Sequence, residues 1–134
     1  MDKLPIVDDF MDKVFTTFRP DTGIHEAIRT LMKERLTGAL VVDEHKMLLG
    51  VLSENECMRV LMDGGFFQIP EGTVLNYMQK HVETTDRNAD IITVAQRFLS
   101  GQFRRIAVVE NNRVVGQITT RDILRGMEAY YEKL

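Results

Sequence analysis

The chain is short of cysteine, of long apolar runs and of surplus positive charge, and each shortage excludes something. Cys57 is the single cysteine, so no internal disulfide can form, which fits a reducing compartment. The unbroken apolar runs are only a few residues long, far below the ~20 that a membrane-spanning helix needs. The opening stretch, Met1-Asp-Lys-Leu-Pro-Ile-Val-Asp-Asp-Phe10, lacks the apolar core of a signal peptide. These features point to a cytoplasmic protein that does not engage a membrane. A formal net charge of −3 gives no global attraction to nucleic acid. Catalytic signatures are missing as well: there is no Ser-His-Asp order, nucleophile elbow, P-loop or dinucleotide glycine fingerprint. His25, His45 and His81 share no metal-ligand spacing, so no metal site is expected. With no base set beside a nucleophile, binding is favoured over catalysis.

What is present is repetition. Met11 laid on Met78, an offset of 67, brings the two halves into step. Lys13 falls on Lys80, Thr17 on Thr84, Ile24 on Ile91, and Ala39-Leu-Val-Val42 on Ile106-Ala-Val-Val109. After a one-residue slip, Gly50-Val-Leu-Ser53 matches Gly116-Gln-Ile-Thr119. Repeats decide the architecture, and two similar units create clefts of the kind that hold ligands. A half of roughly 60 residues buries its apolar faces poorly alone, whereas two can share the task.

Each half carries a Met-x-Lys approach segment, an extended piece ending at Thr17 or Thr84, a helix, a hairpin and a closing helix. The first helix buries Ile24, Ala27, Ile28, Leu31 and Met32 in one half and Ile91, Val94, Ala95, Phe98 and Leu99 in the other, at i, i+3, i+4, i+7, i+8 spacing. Asp21 and Asn88 are the expected N-caps. The hairpins run 39–42 into 47–52 and 106–109 into 114–118, through polar turns at 43–46 and 110–113. Gly50 and Gly116 interrupt the return strands, marking a bulge or a close backbone approach. The closing helices are expected at 54–62 and 120–131, with Cys57, Met58 and Met62 as core packing. Between the halves, Asp63–Gly72 reads as a linker whose Phe66, Phe67 and Ile69 pack. The pattern is α+β.

Two signals could carry chemistry. Ser53-Glu-Asn-Glu56 and Thr119-Thr-Arg-Asp122 sit where a strand becomes a helix. Both fit a capping box, in which a hydroxyl takes the N3 amide and the N3 acid reaches back. Aspartate is one methylene shorter and reaches back less easily, so Thr119/Asp122 could instead grip a ribose beside the free amides of a helix N-terminus. Arg104 and Arg105 precede the strand at 106–109. Paired guanidinium groups suit a phosphate, or else form a solvated charged edge that deters strand pairing. Their first-half counterparts, Thr37 and Gly38, bring no charge, so the halves are unequal.

In this order the motifs resemble a tandem pair of CBS domains, a Bateman module, from about Asp9 to Met127. The strongest stretch is Arg104-Arg-Ile-Ala-Val-Val-Glu110 through Val114-Val-Gly-Gln-Ile-Thr-Thr-Arg-Asp-Ile-Leu124. The resemblance implies two βαββα repeats about a pseudo-twofold axis: a first repeat at 1–62, a connecting segment at 63–75 and a second repeat at 76–134. With nothing left over for an attached enzyme or channel, the chain is similar to stand-alone bacterial CBS-pair proteins. The family implies a regulatory ligand containing adenosine (AMP, ADP, ATP or S-adenosylmethionine), held between the repeats, with no obligatory cofactor and no catalysis. It also implies a homodimer packed through helices, signalling to an unidentified target protein. Carried over by motif, Thr119 and Asp122 hold the ribose and Arg104 and Arg105 the phosphate. Thr17, Thr22, Leu36, Thr37 and Ala39 supply the adenine side. Ser53 and Glu56 with Thr84 form a second, degenerate site, because Glu56 replaces the family's usual aspartate. The alternative implied by the capping boxes is a ligand-free dimeric interaction scaffold.

Overall fold

The structure is a computed structural model that describes residues 3–63 and 68–134. Along the chain run α1 (Val7–Phe10), β1 (Thr17–Phe18), α2 (Ile24–Glu34), β2 (Gly38–Val42), β3 (Leu48–Ser53) and α3 (Glu54–Asp63). They are followed by α4 (Val74–Tyr77), β4 (Thr84–Thr85), α5 (Ile91–Ser100), β5 (Arg105–Glu110), β6 (Arg113–Thr119) and α6 (Thr120–Tyr131). The mixed α+β architecture expected from the sequence is present in both halves. Two one-turn helices, α1 and α4, were not expected. They occupy the approach segments, and the extended pieces begin at Thr17 and Thr84 instead of ending there.

Two compact units emerge, residues 16–82 and residues 1–15 together with 83–134. Each holds a three-stranded sheet, ordered β1-β2-β3 or β4-β5-β6, with a parallel first pair and an antiparallel hairpin. The units cut across the sequence repeats, because the approach segments are exchanged. Asp12 pairs with Gln117 on β6, and Gln79 pairs with Val51 on β3. Each approach segment thus covers the open side of a hairpin belonging to the other repeat, which blunts an exposed strand edge.

Both hairpins carry a bulge at the same place. Val41 faces Gly50 while Val42 faces Leu48, and Val108 faces Gly116 while Val109 faces Val114, leaving Leu49 and Val115 as the extra residues. The glycines also meet the expected close approach. A Cβ on Gly50 would lie 2.4 Å from the Gln79 carbonyl oxygen, and one on Gly116 would lie 2.6 Å from Met11 Sδ. Bulge and close contact share a cause, since the missing side chain lets the approach segment dock on the strand.

The cores follow helical geometry. Ile24, Ala27 and Leu31 on α2 are buried with Ala39, Val41 and Leu52. Ile91, Val94 and Phe98 on α5 are buried with Ile106, Val108 and Ile118. At ~100° per residue, the position eight residues on lies ~80° from the first and falls off the buried stripe. Met32 is accordingly 71% and Leu99 88% exposed, against expectation. Met58 (57%) and Met62 (63%) are also exposed, because α3 turns Glu56, Cys57 and Val60 inward and leaves its methionines on the outer side.

The helix caps differ from expectation. Gly23 is the N-cap of α2 with no side-chain bond, and Asp90, not Asn88, caps α5 by accepting from the Thr93 amide at 2.8 Å. Asp21 and Asn88 lie in the turns just before those caps. In the connecting segment Ile69 is exposed, not packed; Phe66 and Phe67 lie outside the described residues.

Candidate ligand-binding site

Thr119 ends β6 and is the N-cap of α6. A strand that runs straight into a helix leaves first-turn amides without partners. Here the Asp122 amide donates to Thr119 Oγ1 at 3.5 Å, while the Thr119 amide and hydroxyl donate to Asp122 Oδ2 at 2.9 and 3.0 Å. The capping box therefore closes despite the short side chain, correcting the expectation that aspartate reaches back poorly. The other carboxylate oxygen, Oδ1, accepts from Arg125 Nη2 at 2.7 Å. That same nitrogen donates to the Phe10 carbonyl oxygen at 3.1 Å, and the guanidinium carbon lies 6.0 Å from the Phe10 ring centroid. Asp122 is buried, whereas Arg125 is largely exposed. Asp12 stands close by. Burial and the negative charge of Asp122 raise its carboxyl above the ordinary value, and Arg125 opposes the rise.

The other unit meets the same need with different groups. The Ser53 amide and hydroxyl donate to Glu56 Oε1 at 3.0 and 2.5 Å, and Gln79 Nε2 donates to Oε2 at 3.1 Å. Gln79 is the repeat counterpart of Asp12. A glutamine can donate to the helix carboxylate; an aspartate repels it. In keeping with that, Arg125 closes on Asp122, while its counterpart Arg59 has no hydrogen-bond or ion-pair partner among the described residues. Sequence reasoning missed Arg125, Asp12 and Gln79. The i, i+3 spacing of Asp122 and Arg125 was the available signal.

Arg105 opens β5 and stands in register with Thr119, so these two predicted residues are brought together. Arg105 is buried, which excludes the solvated-edge reading for it; Arg104 is exposed. Gln117, two residues before Thr119 and on the same sheet face, has a buried Oε1 with no donor among the described residues.

The predicted adenine residues scatter along one unit. Thr17 is exposed at the start of β1, beside Leu40. Thr22 precedes α2, and its carbonyl accepts from the Val74 amide at 2.8 Å. Leu36 and Thr37 follow the same helix, whose 11 residues span ~16 Å, so Thr22 stands at the opposite end from them. The Thr37 carbonyl accepts the Glu54 amide at 2.9 Å. Ala39 is buried in the core with its methyl group turned inward. Thr84 pairs with Ala107, and its carbonyl accepts from Arg97 at 2.7 Å.

Burial pushes the Cys57 thiol up to about 11, aided by Glu56 and Glu54, and so holds it as an inert core group. Among the described residues no group of three or more His, Cys, Asp or Glu could hold a metal. No helix among them is long and apolar enough to cross a membrane.

Two sheet-and-helix units with strand-to-helix capping pairs define a CBS domain pair. The chain belongs to the CBS domain family, whose sequence profile matches residues 7–63 and 74–129. It is 28% identical over 120 residues to MJ1225 of Methanocaldococcus jannaschii, covering 89% of this chain and 41% of that protein. The CBS domain pair of protein MJ0100, solved in complex with 5′-methylthioadenosine and S-adenosyl-L-methionine, superposes with a TM-score of 0.80. It is 25% identical, with 96% of this chain and 99% of that chain covered. CBSX2, solved in complex with AMP, shares the fold with a TM-score of 0.81 at 23% identity, covering 96% of this chain and 98% of that one.

Proposed function

We propose that the chain is a regulatory module that binds an adenosine-containing ligand, an adenine nucleotide or S-adenosylmethionine, and passes its state to a partner protein. Thr119 and Asp122 take the ribose, Arg104 and Arg105 the phosphate of a nucleotide. Thr17, Thr22, Leu36, Thr37 and Ala39 serve the adenine, the core position of Ala39 leaving its backbone as the contact. Ser53, Glu56 and Thr84 belong to a weaker second site, with Glu56 already held by Gln79.

One observation carries this reading. At one end of the β5–β6 hairpin stand Arg105 and Thr119, with the Asp122 carboxylate bonded to the Thr119 hydroxyl and, on the same sheet face as Thr119, a Gln117 Oε1 that has no donor among the described residues. An unsatisfied buried acceptor costs about 1–3 kcal/mol, which a ligand N–H or O–H would relieve. The MJ0100 complex adds support from a relative bound to two adenosine compounds. Transmission is a population shift, limited by the ligand's differential affinity for two states.

Thermal melts with AMP, ADP, ATP and S-adenosylmethionine test it. Saturation at roughly 100 times the dissociation constant adds about 2.7 kcal/mol. Asp122→Ala abolishes the response while the cap loss costs only about 0.5–2 kcal/mol. If all four ligands leave the melting temperature of the parent unmoved, the sensor reading fails.

A second reading, the ligand-free scaffold, is favoured by the fully bonded Asp122 carboxylate. Under either reading a homodimer is proposed. It draws on the exposed Met58 and Met62 of α3 and Leu124 and Tyr131 of α6. Light scattering at micromolar concentration reads the mass directly.

A further inference from the structure

Arg125 serves two acceptors at once. Its Nη2 holds Asp122 Oδ1 at 2.7 Å and the Phe10 carbonyl at 3.1 Å, with the guanidinium over the Phe10 ring. The Phe10 carbonyl is one of the C-terminal carbonyls of α1, which a one-turn helix cannot satisfy internally. Arginine near a helix C-terminus commonly fills that role. One side chain therefore ties the carboxylate of the candidate ribose pair to the end of the approach segment.

Asp122 Oδ2 is locked into the cap by the Thr119 amide and hydroxyl. Oδ1 is the oxygen left to exchange partners, and Arg125 occupies it. We infer that Arg125 is a latch on this carboxylate: ribose hydroxyls at Asp122 Oδ1 displace the guanidinium, and its release loosens the end of α1. The inference rests on the ribose reading of Thr119 and Asp122 given above. Asp12 strengthens the coupling. It follows α1 directly, exchanges amide and carbonyl bonds with Gln117 at 2.9 and 3.0 Å, and is repelled by Asp122. Once Arg125 leaves, that repulsion loses its counter-charge and acts on the segment that α1 begins. The other unit lacks the device among the described residues: Glu56 is held by neutral Gln79, and Arg59 has no hydrogen-bond or ion-pair partner there. Ligand occupancy would thus be reported by the approach segment of one unit alone, a discrete element with two arrangements.

Arg125→Ala in the full chain, with Arg59→Ala as control, tests the latch. Arg125→Gln, which keeps a donor without the charge, guards against simple misfolding. Calorimetric titration uses AMP and S-adenosylmethionine, and hydrogen exchange follows residues 7–12. An exposed ion pair contributes up to about 1 kcal/mol, so removing it tightens binding by about fivefold. Both Arg125 variants also exchange faster at the Met11 and Asp12 amides without ligand, approaching the ligand-saturated parent, and Arg59→Ala changes neither. Binding by the Arg125 variants alone would also support the latch, as one fully closed in the parent. Unchanged or weaker binding by both variants overturns it, as does exchange at residues 7–12 that saturating ligand leaves unmoved; the ligand reading survives those results. If neither the parent nor any variant binds, the ligand reading falls and takes the latch with it.

Discussion

Gly116 lies against Met11 so closely that a Cβ there would sit 2.6 Å from the methionine sulfur and 2.9 Å from the Asp12 carbonyl oxygen. Gly50 repeats the relationship with Met78, at 3.0 Å from its sulfur, but the Gln79 carbonyl oxygen is only 2.4 Å away. A thioether can swing aside. A carbonyl that accepts the Val51 amide at 2.9 Å cannot move without breaking the pairing. Gly116→Ala is expected to cost about 1–3 kcal/mol and Gly50→Ala to reach or exceed the top of that range. Urea denaturation of the two variants measures this. An alanine at position 50 with parental stability would contradict the docking of Gln79 on β3.

Asp90 and Asp12 respond to acid in opposite senses. Backbone and side-chain hydrogen bonds from Thr93 hold the Asp90 carboxyl below its ordinary value. Its contribution is present above the ordinary carboxylate value and is lost as pH falls through the lowered one. Asp90→Ala therefore costs about 1 kcal/mol at neutral pH, and the deficit closes in acid. Asp12 is raised by burial and by Asp122, so its contribution is present at low pH and is lost as pH rises through the raised value. Asp12→Asn should be more stable than the parent at pH 7, by a few tenths of a kcal/mol for so exposed a group. That advantage should vanish below the ordinary carboxylate range. Melting curves from pH 3 to 8 distinguish the two trends, and parallel curves would refute both assignments.

Cys57 should resist thiol reagents. With its thiol pushed up to about 11, little thiolate exists at pH 8, and the group is buried. Colorimetric labelling of the native protein is expected to run at least ~100-fold slower than for an exposed cysteine, and to become rapid in urea. Prompt stoichiometric labelling of the folded chain would show that α3 does not shield this position.

The β5–β6 hairpin turns on Asn111 and Asn112, at φ of 51° and 65°, between the paired Glu110 and Arg113. Two left-handed residues make a type I′ turn, which matches the twist of the strands it joins. Asn112→Gly should hold or raise stability, whereas Asn112→Val should cost about 1–2 kcal/mol because a β-branched residue resists positive φ. Equal melting temperatures for the glycine and valine variants would exclude this turn.

Much of each unit was legible because it is written locally. Ile24, Ala27 and Leu31 announce a buried helix face by spacing alone, as do Ile91, Val94 and Phe98. Gly50 and Gly116 announce the bulges. The exchange of approach segments was not legible for a reason of symmetry. Met11 and Met78 look alike, so sequence says what kind of strand each docks on but not which copy. Caps misled where the chain uses no side chain, as at Gly23, and where one more turn intervenes, as between Asn88 and Asp90. The pairing of Asp122 with Arg125 was open to reading from its i, i+3 spacing, but the approach of Asp12, 110 positions earlier (122 minus 12), was not, because its charge matters only once the fold places it there.

The crossing of the approach segments sets an order of assembly. Residues 16–82 form an unbroken stretch that can close as soon as it leaves the ribosome, whereas residues 3–15 emerge ahead of it yet have no docking strand until β6 is made. Until then Val7 and Met11, both destined for a core, remain exposed to solvent and to chance partners. Deleting residues 3–15 would consequently damage the distant stretch 83–134 and spare the adjoining stretch 16–82.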